Sequence, residues 1–257
     1  MIGWRFIKSR TGVSKSVYTA IASYADDLYY EFTDETGRHY RVPLGRLREI
    51  QEILRRFLGR VTTVGDCAHG YVKGRSTKTA SRVHQGNKHH FVTDIKAFFP
   101  TISYDRVRSA LCSNGISDSV AKVLAKILTT KNELPQGTTS SPLVSNIVMR
   151  DCDDDLYSLC AERSIAYTRY SDDLTFSSAK DFRDATDSLI GTISAHGFEI
   201  KQSKTHYKIG PIDMLGVRVR NNMLRPPQEI LDKLENAECE ALSLGLRQYI
   251  EYIRREA

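Results

Sequence analysis

Two adjacent acids, Asp172 and Asp173, follow Tyr170-Ser171 and constrain this chain more than any other feature. The residues before them, Ile165-Ala166-Tyr167-Thr168-Arg169-Tyr170, are rich in β-branched and aromatic types. So are Leu174-Thr175-Phe176-Ser177-Ser178 after them. The pattern predicts strand, tight acidic turn, strand. Like charges held together at a hairpin tip repel, and a divalent cation is the natural compensation. A solvated Asp-Asp turn is the plain alternative for an isolated Tyr-x-Asp-Asp, but this one is not isolated.

Upstream, the apolar run Phe91-Val92-Thr93 delivers Asp94 at its end, followed by Ile95-Lys96-Ala97-Phe98-Phe99-Pro100. Between the two acidic sites lies Leu134-Pro135-Gln136-Gly137-Thr138-Thr139-Ser140-Ser141-Pro142, a polar, turn-rich loop that runs into a helix. Carboxylates delivered by separated strands suggest a pair of Mg²⁺ ions. Such a pair clamps the attacking and leaving oxygens of an in-line phosphoryl displacement.

In these motifs and their order the chain resembles reverse transcriptases, and among them the bacterial retron-type, defence-associated group. Asp94 to Phe99 resembles the first palm motif, Leu134 to Asn146 the second, and Tyr170 to Asp173 the metal-binding hairpin. Gly197-Phe198-Glu199-Ile200-Lys201-Gln202-Ser203-Lys204 is similar to the fourth. Met214-Leu215-Gly216 is similar to the hairpin that grips the primer. The stretch His69-Gly70-Tyr71-Val72-Lys73-Gly74-Arg75-Ser76 is the most retron-like. Two family signatures are altered. Asn-Ala-x-x-His appears as Ala80-Ser81-Arg82-Val83-His84, and Val-Thr-Gly as Met214-Leu215-Gly216.

The resemblance implies an RNA-directed DNA polymerase with catalytic Asp94, Asp172 and Asp173. It implies two Mg²⁺ ions, with Mn²⁺ as a substitute, at Asp94, Ile95, Asp172 and Asp173. Nucleotide contacts are expected from Phe99 (as a gate beneath the sugar), Gln136, Gly137, Arg41, Arg38, Arg75 and Lys204, with Lys73 a competitor for the triphosphate. Expected partners are a structured non-coding RNA template, the DNA product, deoxynucleoside triphosphates and an accessory or effector protein. A template-independent or protein-primed nucleotidyl transferase, and an RNA-binding scaffold with dispensable catalysis, are the competing readings.

Composition is consistent with a nucleic-acid partner. The 257 residues carry a formal charge of +6. From Arg38 to Arg60 there are seven arginines against two glutamates, and the arginine fork suits phosphate. No apolar run of the ~18 residues that would span a membrane appears, and the start lacks a secretory signal. The five cysteines are scattered without metal-site spacing, as expected of a reducing cytoplasm. His69, His84, His89 and His90 lack ligand partners at zinc spacing.

The expected fold class is α+β: a right-hand polymerase with fingers at 1–90, a ferredoxin-like palm at 91–210, and a primer grip with an abbreviated thumb at 211–257. Part of 103–134 is expected to join the fingers. Apolar periodicity predicts helices over 17–32, 44–58 and 119–130, the last capped by Asp118. Further helices are expected after Pro142 and from Phe182, the latter ended by Gly197. The acids of 151–155 read as a solvated helix surface.

Overall fold

The computed structural model describes residues 1–220, 223–237 and 239–255. The helices are α1 Trp4–Thr11, α2 Lys15–Ser23, α3 Gly45–Val61, α4 Thr77–Val83, α5 Phe98–Thr101, α6 Tyr104–Ser113, α7 Asp118–Leu128, α8 Ser141–Glu162, α9 Thr186–Ala195, α10 Gln228–Glu235 and α11 Glu240–Arg254. The strands are β1 Tyr29–Thr33, β2 His39–Pro43, β3 His89–Asp94, β4 Ala166–Tyr170, β5 Asp173–Ser178, β6 His206–Ile209, β7 Ile212–Met214, β8 Val217–Arg220 and β9 Met223–Arg225. Mixed helices and antiparallel sheets are the expected α+β class.

Contacts divide the chain into two compact units, Met1–Gly65 with Ala97–Asp151, and Asp66–Lys96 with Cys152–Ala257. Residues 103–134 fall in the first unit, with the region called fingers above. Residues 66–90, assigned to the same region from sequence, fall in the second unit. Their placement follows from backbone pairing: the Arg169 amide donates to the Cys67 carbonyl at 2.8 Å, and the His69 amide donates to the Arg169 carbonyl at 2.7 Å.

In the first unit, Leu47, Ile50, Leu54, Phe57 and Leu58 recur at helical spacing and bury one face of α3. The predicted helix over 17–32 ends early, at Ser23. Tyr29 to Thr33 instead pair with His39 to Pro43 as a hairpin, where Phe32 stacks on Tyr40 and Tyr30 tilts against Phe32. β-branched and aromatic pairing outweighs the helical period there. Nor does Asp118 cap α7. Ser117 holds the cap position, and the Asp118 carboxylate accepts from Arg108 Nε at 2.7 Å and pairs with Lys122 at 3.0 Å.

In the second unit, β3 lies inside a four-stranded antiparallel sheet of order β4-β5-β3-β6. From Leu174 to Ser178 every residue of β5 is buried, and Phe176 stacks on Tyr167 at 4.7 Å and on Phe91 at 5.8 Å. A separate three-stranded sheet, β7-β8-β9, has Ile212, Met214 and Val219 as its core, with Val92 of β3 packed against them. As the sequence predicts, Gly197 follows α9 in the left-handed region, at φ +72°.

His84 is fully buried between β4 and β5, where Nδ1 lies 2.6 Å from Ser177 Oγ and Nε2 lies 2.7 Å from Thr168 Oγ1. Burial, aided by the charges of His90 and His69, pushes its pKa from 6.5 down to about 3. Folding therefore favours the neutral ring. That stability is complete above pH 6.5 and is lost as pH falls toward 3, by up to about 1.4 kcal/mol per pH unit. Urea unfolding of wild type and His84→Gln at pH 7, 6 and 5 checks this. The stability gap between them is expected to shrink with acidity, and a constant gap would refute a buried neutral histidine.

Candidate active site

Tyr170 pairs with Asp173 across the β4-β5 hairpin, leaving Ser171 and Asp172 as a two-residue turn. Ser171 has φ +61°, the left-handed geometry that tight hairpin turns demand. On the other side of β5, Asp94 stands opposite Asp173 in register. One residue on, the Ile95 amide donates to the Asp172 carbonyl at 2.9 Å. Acids 78 and 79 positions apart in sequence thus meet at one end of a single sheet.

Their electrostatics are those of crowded carboxylates. Burial and the charges of Asp172 and Asp94 push the Asp173 carboxyl up to about 6. Asp94 is only 4 % exposed, and Lys204 Nζ donates to its Oδ2 at 2.5 Å. That contact, together with the other two aspartates, raises the lysine's proton affinity. Among the described residues no three Asp, Glu, His or Cys side chains close into a metal-ligating cluster. Lys204 instead supplies the positive charge at Asp94. The donor set nevertheless suits a hard divalent cation: it is all carboxylate oxygen, and the raised affinity of Asp173 marks surplus negative charge.

The hairpin is held from beneath. Arg169 and Asp153 are both fully buried. Nε and Nη2 of the arginine donate to the two carboxylate oxygens at 2.8 and 2.7 Å, while Tyr167 Oη donates to Oδ1 at 2.9 Å. Arg169 Nη1 also donates to the Ser171 carbonyl at 3.0 Å, tying the turn to this pair. From the side, the 67–70 segment runs along β4. A Cβ on Gly70 would lie 2.6 Å from the Ser171 amide nitrogen, too close for any side chain. Gly70→Ala is therefore expected to destabilise the fold by about 1–3 kcal/mol and to displace the turn. Chemical denaturation checks this; a wild-type value would show that the backbone yields without cost.

The remaining candidates sit as follows. Ile95 is buried, with its amide locked to the hairpin. Phe98 is a core residue, and Phe99 is partly exposed, with its ring edge-on to Phe98 at 5.4 Å. The Gln136 carbonyl accepts from the Arg41 amide at 2.7 Å. Gly137, at φ +100°, brings its backbone against the Arg41 carbonyl, where a Cβ would sit 3.3 Å away. Arg41 itself pairs with Glu133 at 2.7 Å and with Glu31 at 3.6 Å. Arg38 is exposed, and Lys73 is exposed in its loop. Arg75 is tied into its own loop by bonds to the Ala68 carbonyl and the Asp66 carboxylate. Met214 is buried, and Leu215 and Gly216 turn the β7-β8 hairpin at φ +52° and +75°. Tyr249 Oη donates to the Gly216 carbonyl at 3.2 Å.

A family model described as reverse transcriptase (RNA-dependent DNA polymerase) matches residues 33–219. The chain belongs to this reverse transcriptase family. The matched span holds the three aspartates, Lys204 and residues 214–216. The retron Mx65 reverse transcriptase of Myxococcus xanthus is 32% identical over 190 residues, which is 65% of this chain and 44% of that protein. The retron Ec86 reverse transcriptase of Escherichia coli is 32% identical over 166 residues, covering 63% and 52%. The chain spans about half the length of these curated relatives. Among solved structures, an apo telomerase from Candida tropicalis, truncated from its C-terminal domain, aligns with TM-score 0.55 and 11% identity. It covers 83% of this chain and 60% of its own. The foamy viral protease-reverse transcriptase with dsDNA aligns at 0.51 and 15%, covering 86% and 42%. At such identities the likeness carries the fold alone, that of the right-hand polymerases.

In this member of the family the acidic run 151–155 is not uniformly solvated, contrary to the expectation from sequence. Asp151, Asp154 and Asp155 are exposed; Asp153 is buried. It lies one turn from Met149 and from Leu156, both buried, so α8 carries it inward with them. That spacing, together with an arginine inside the apolar strand β4, was the signal available in the sequence.

Proposed function

We propose that this chain is an RNA-directed DNA polymerase that extends a primer 3′-hydroxyl with deoxynucleotides, with Asp94, Asp172 and Asp173 as its metal-binding acids. The observation that carries the reading is the strand register, which sets Asp94 opposite Asp173 and bonds Ile95 to Asp172. Two Mg²⁺ ions, or Mn²⁺, would activate the hydroxyl and neutralise the departing pyrophosphate. Asp94 and Asp172 would be the main residues to hold them, with Asp173 beside them. A cation held by Asp94 would compete with Lys204 for its carboxylate. The freed ammonium then stands ready to pair with, or protonate, a phosphate oxygen.

Phe99 is the proposed sugar gate, Gln136 and Gly137 line the nascent pair, Arg38, Arg41 and Arg75 are triphosphate contacts, and residues 214–216 grip the primer. Similarity to retron reverse transcriptases supports a dedicated, structured non-coding RNA as template, and by the same resemblance a role in bacterial anti-phage defence.

The test is primer extension on an RNA template with each nucleotide supplied singly, with Mg²⁺, with Mn²⁺ and with chelator. Templated, metal-dependent DNA synthesis is expected. Incorporation that ignores template sequence would favour a template-independent transferase. Sequencing the nucleic acid that purifies with the protein identifies the template. In the same assay Phe99→Ala is expected to raise ribonucleotide incorporation by on the order of tenfold; unchanged discrimination would remove Phe99 from the gate.

A further inference from the structure

The arginine block singled out in the sequence is only partly accounted for by ion pairs. Arg46 pairs with Glu49, Arg55 with Glu52, and Arg41 with Glu133. Among the described residues Arg56, Arg60 and Arg10 of α1 close no ion pair, although Glu52 acts on Arg56 at longer range. These three converge in the first unit on one cleft of about 550 Å³ between α1 and α3. Its lining contains no acid. The nearest acid in the α3 sequence, Glu52, is bonded to Arg55 and to Thr139.

The floor of the cleft is apolar and aromatic. Phe57 is buried, Phe6 is 38% exposed, and their rings stand 6.4 Å apart at 60°. Ile53 completes it. The Arg10 guanidinium lies 5.2 Å from the centre of the Phe6 ring. Three exposed guanidinium groups around an apolar slot suit an anion with a flat apolar part. A bare phosphate leaves the floor unused, and an aliphatic carboxylate needs only one arginine. A nucleotide unit satisfies both surfaces, base on the aromatics and phosphates on the arginines. The volume suits an occupant of that size.

We propose that this cleft is a second nucleic-acid site, which holds one unstacked nucleotide of a single-stranded RNA. The base rests against Phe6 and Phe57, and the flanking phosphates pair with Arg10, Arg56 and Arg60. None of these residues belongs to the aspartate site, and binding here requires no reaction. The site therefore stands or falls independently of the polymerase reading.

A short labelled oligoribonucleotide carrying one 5-iodouridine tests it, by anisotropy titration and by photocrosslinking with peptide mapping, in the absence of nucleotides and divalent ions. Crosslinks are expected on Phe6 or Phe57. Arg56→Glu is expected to weaken binding by about tenfold and to remove the crosslink. Arg48→Glu makes the same charge change on the exposed surface of the same helix, outside the cleft, and is expected to weaken binding far less. Phe6→Ala is expected to reduce crosslinking while preserving the salt dependence of affinity. Thermal melting verifies each fold, and Arg56→Gln with Arg60→Gln replaces any variant that fails to fold. Equal losses for Arg48→Glu and Arg56→Glu would overturn the proposal, as would crosslinks confined to other peptides. So would displacement of the strand by inorganic phosphate as readily as by an unlabelled dinucleotide. Intact crosslinking in Asp172→Asn, alongside lost primer extension, separates this site from the polymerase centre.

Discussion

Asp172→Asn is expected to lower nucleotide incorporation by on the order of 10³-fold and to leave the fold intact. The asparagine keeps the shape of the turn and the Asp172 carbonyl that accepts from Ile95, but withdraws one of the ligands on which the proposed ions depend. Stability in chelator is expected to hold or rise. The lost carboxylate is one of those that push Asp173 up to about 6, so its removal relieves repulsion rather than breaking an attraction. Wild type, by contrast, is expected to gain melting temperature when Mg²⁺ is added, because an ion that binds only the folded state stabilises it by mass action. The variant is expected to lose most of that gain. Three measurements check this: steady-state incorporation, melting in chelator and melting with Mg²⁺. A variant that keeps a tenth of wild-type incorporation, or melts several degrees lower in chelator, would mean that Asp172 braces the hairpin instead of serving the chemistry.

The second large effect concerns Asp153 and Arg169. Removal of one partner from this fully buried pair leaves an uncompensated charge in the core, which costs about 3–5 kcal/mol. Asp153→Ala suffers further because Tyr167 Oη loses its acceptor. Arg169→Met alone is expected to be comparably destabilised, as read by urea denaturation. The double variant Asp153→Leu with Arg169→Met leaves no charge behind and is expected to recover most of that stability. Its activity is a separate matter. Arg169 Nη1 also donates to the Ser171 carbonyl, so the double variant folds with the acidic turn untied. Recovered stability with depressed incorporation is the expected result. Full activity in the double variant would show that the turn holds its geometry without the arginine.

How far the sequence carried this reading differs from element to element. The hairpin around Asp172 was legible because β propensity, alternation and a two-residue turn are local properties, and β4 and β5 begin and end within a residue of where the pattern puts them. Helix α3 was legible for a similar reason: its apolar stripe is long enough to show a period. The expected helix over 17–32 failed where two local tendencies competed. Only pairing with His39 to Pro43 decided that Tyr29 to Thr33 extend. Asp118 misled because an acid at a helix start serves as a cap or as an ion-pair partner, and the position of Arg108 decides between them.

The residue chemistry of the candidate site, three aspartates and a lysine, was determined by the sequence, since the motifs name the groups and their order along the chain. What the tertiary structure alone decided is their company. It set Asp94 across from Asp173, placed Lys204 on Asp94, buried Asp153 beneath the turn, and gathered three arginines around an aromatic cleft. Proximity between residues far apart in sequence is fixed by sheet register and helix packing, which depend on the whole chain. Charge and burial then act on whatever that packing brings together.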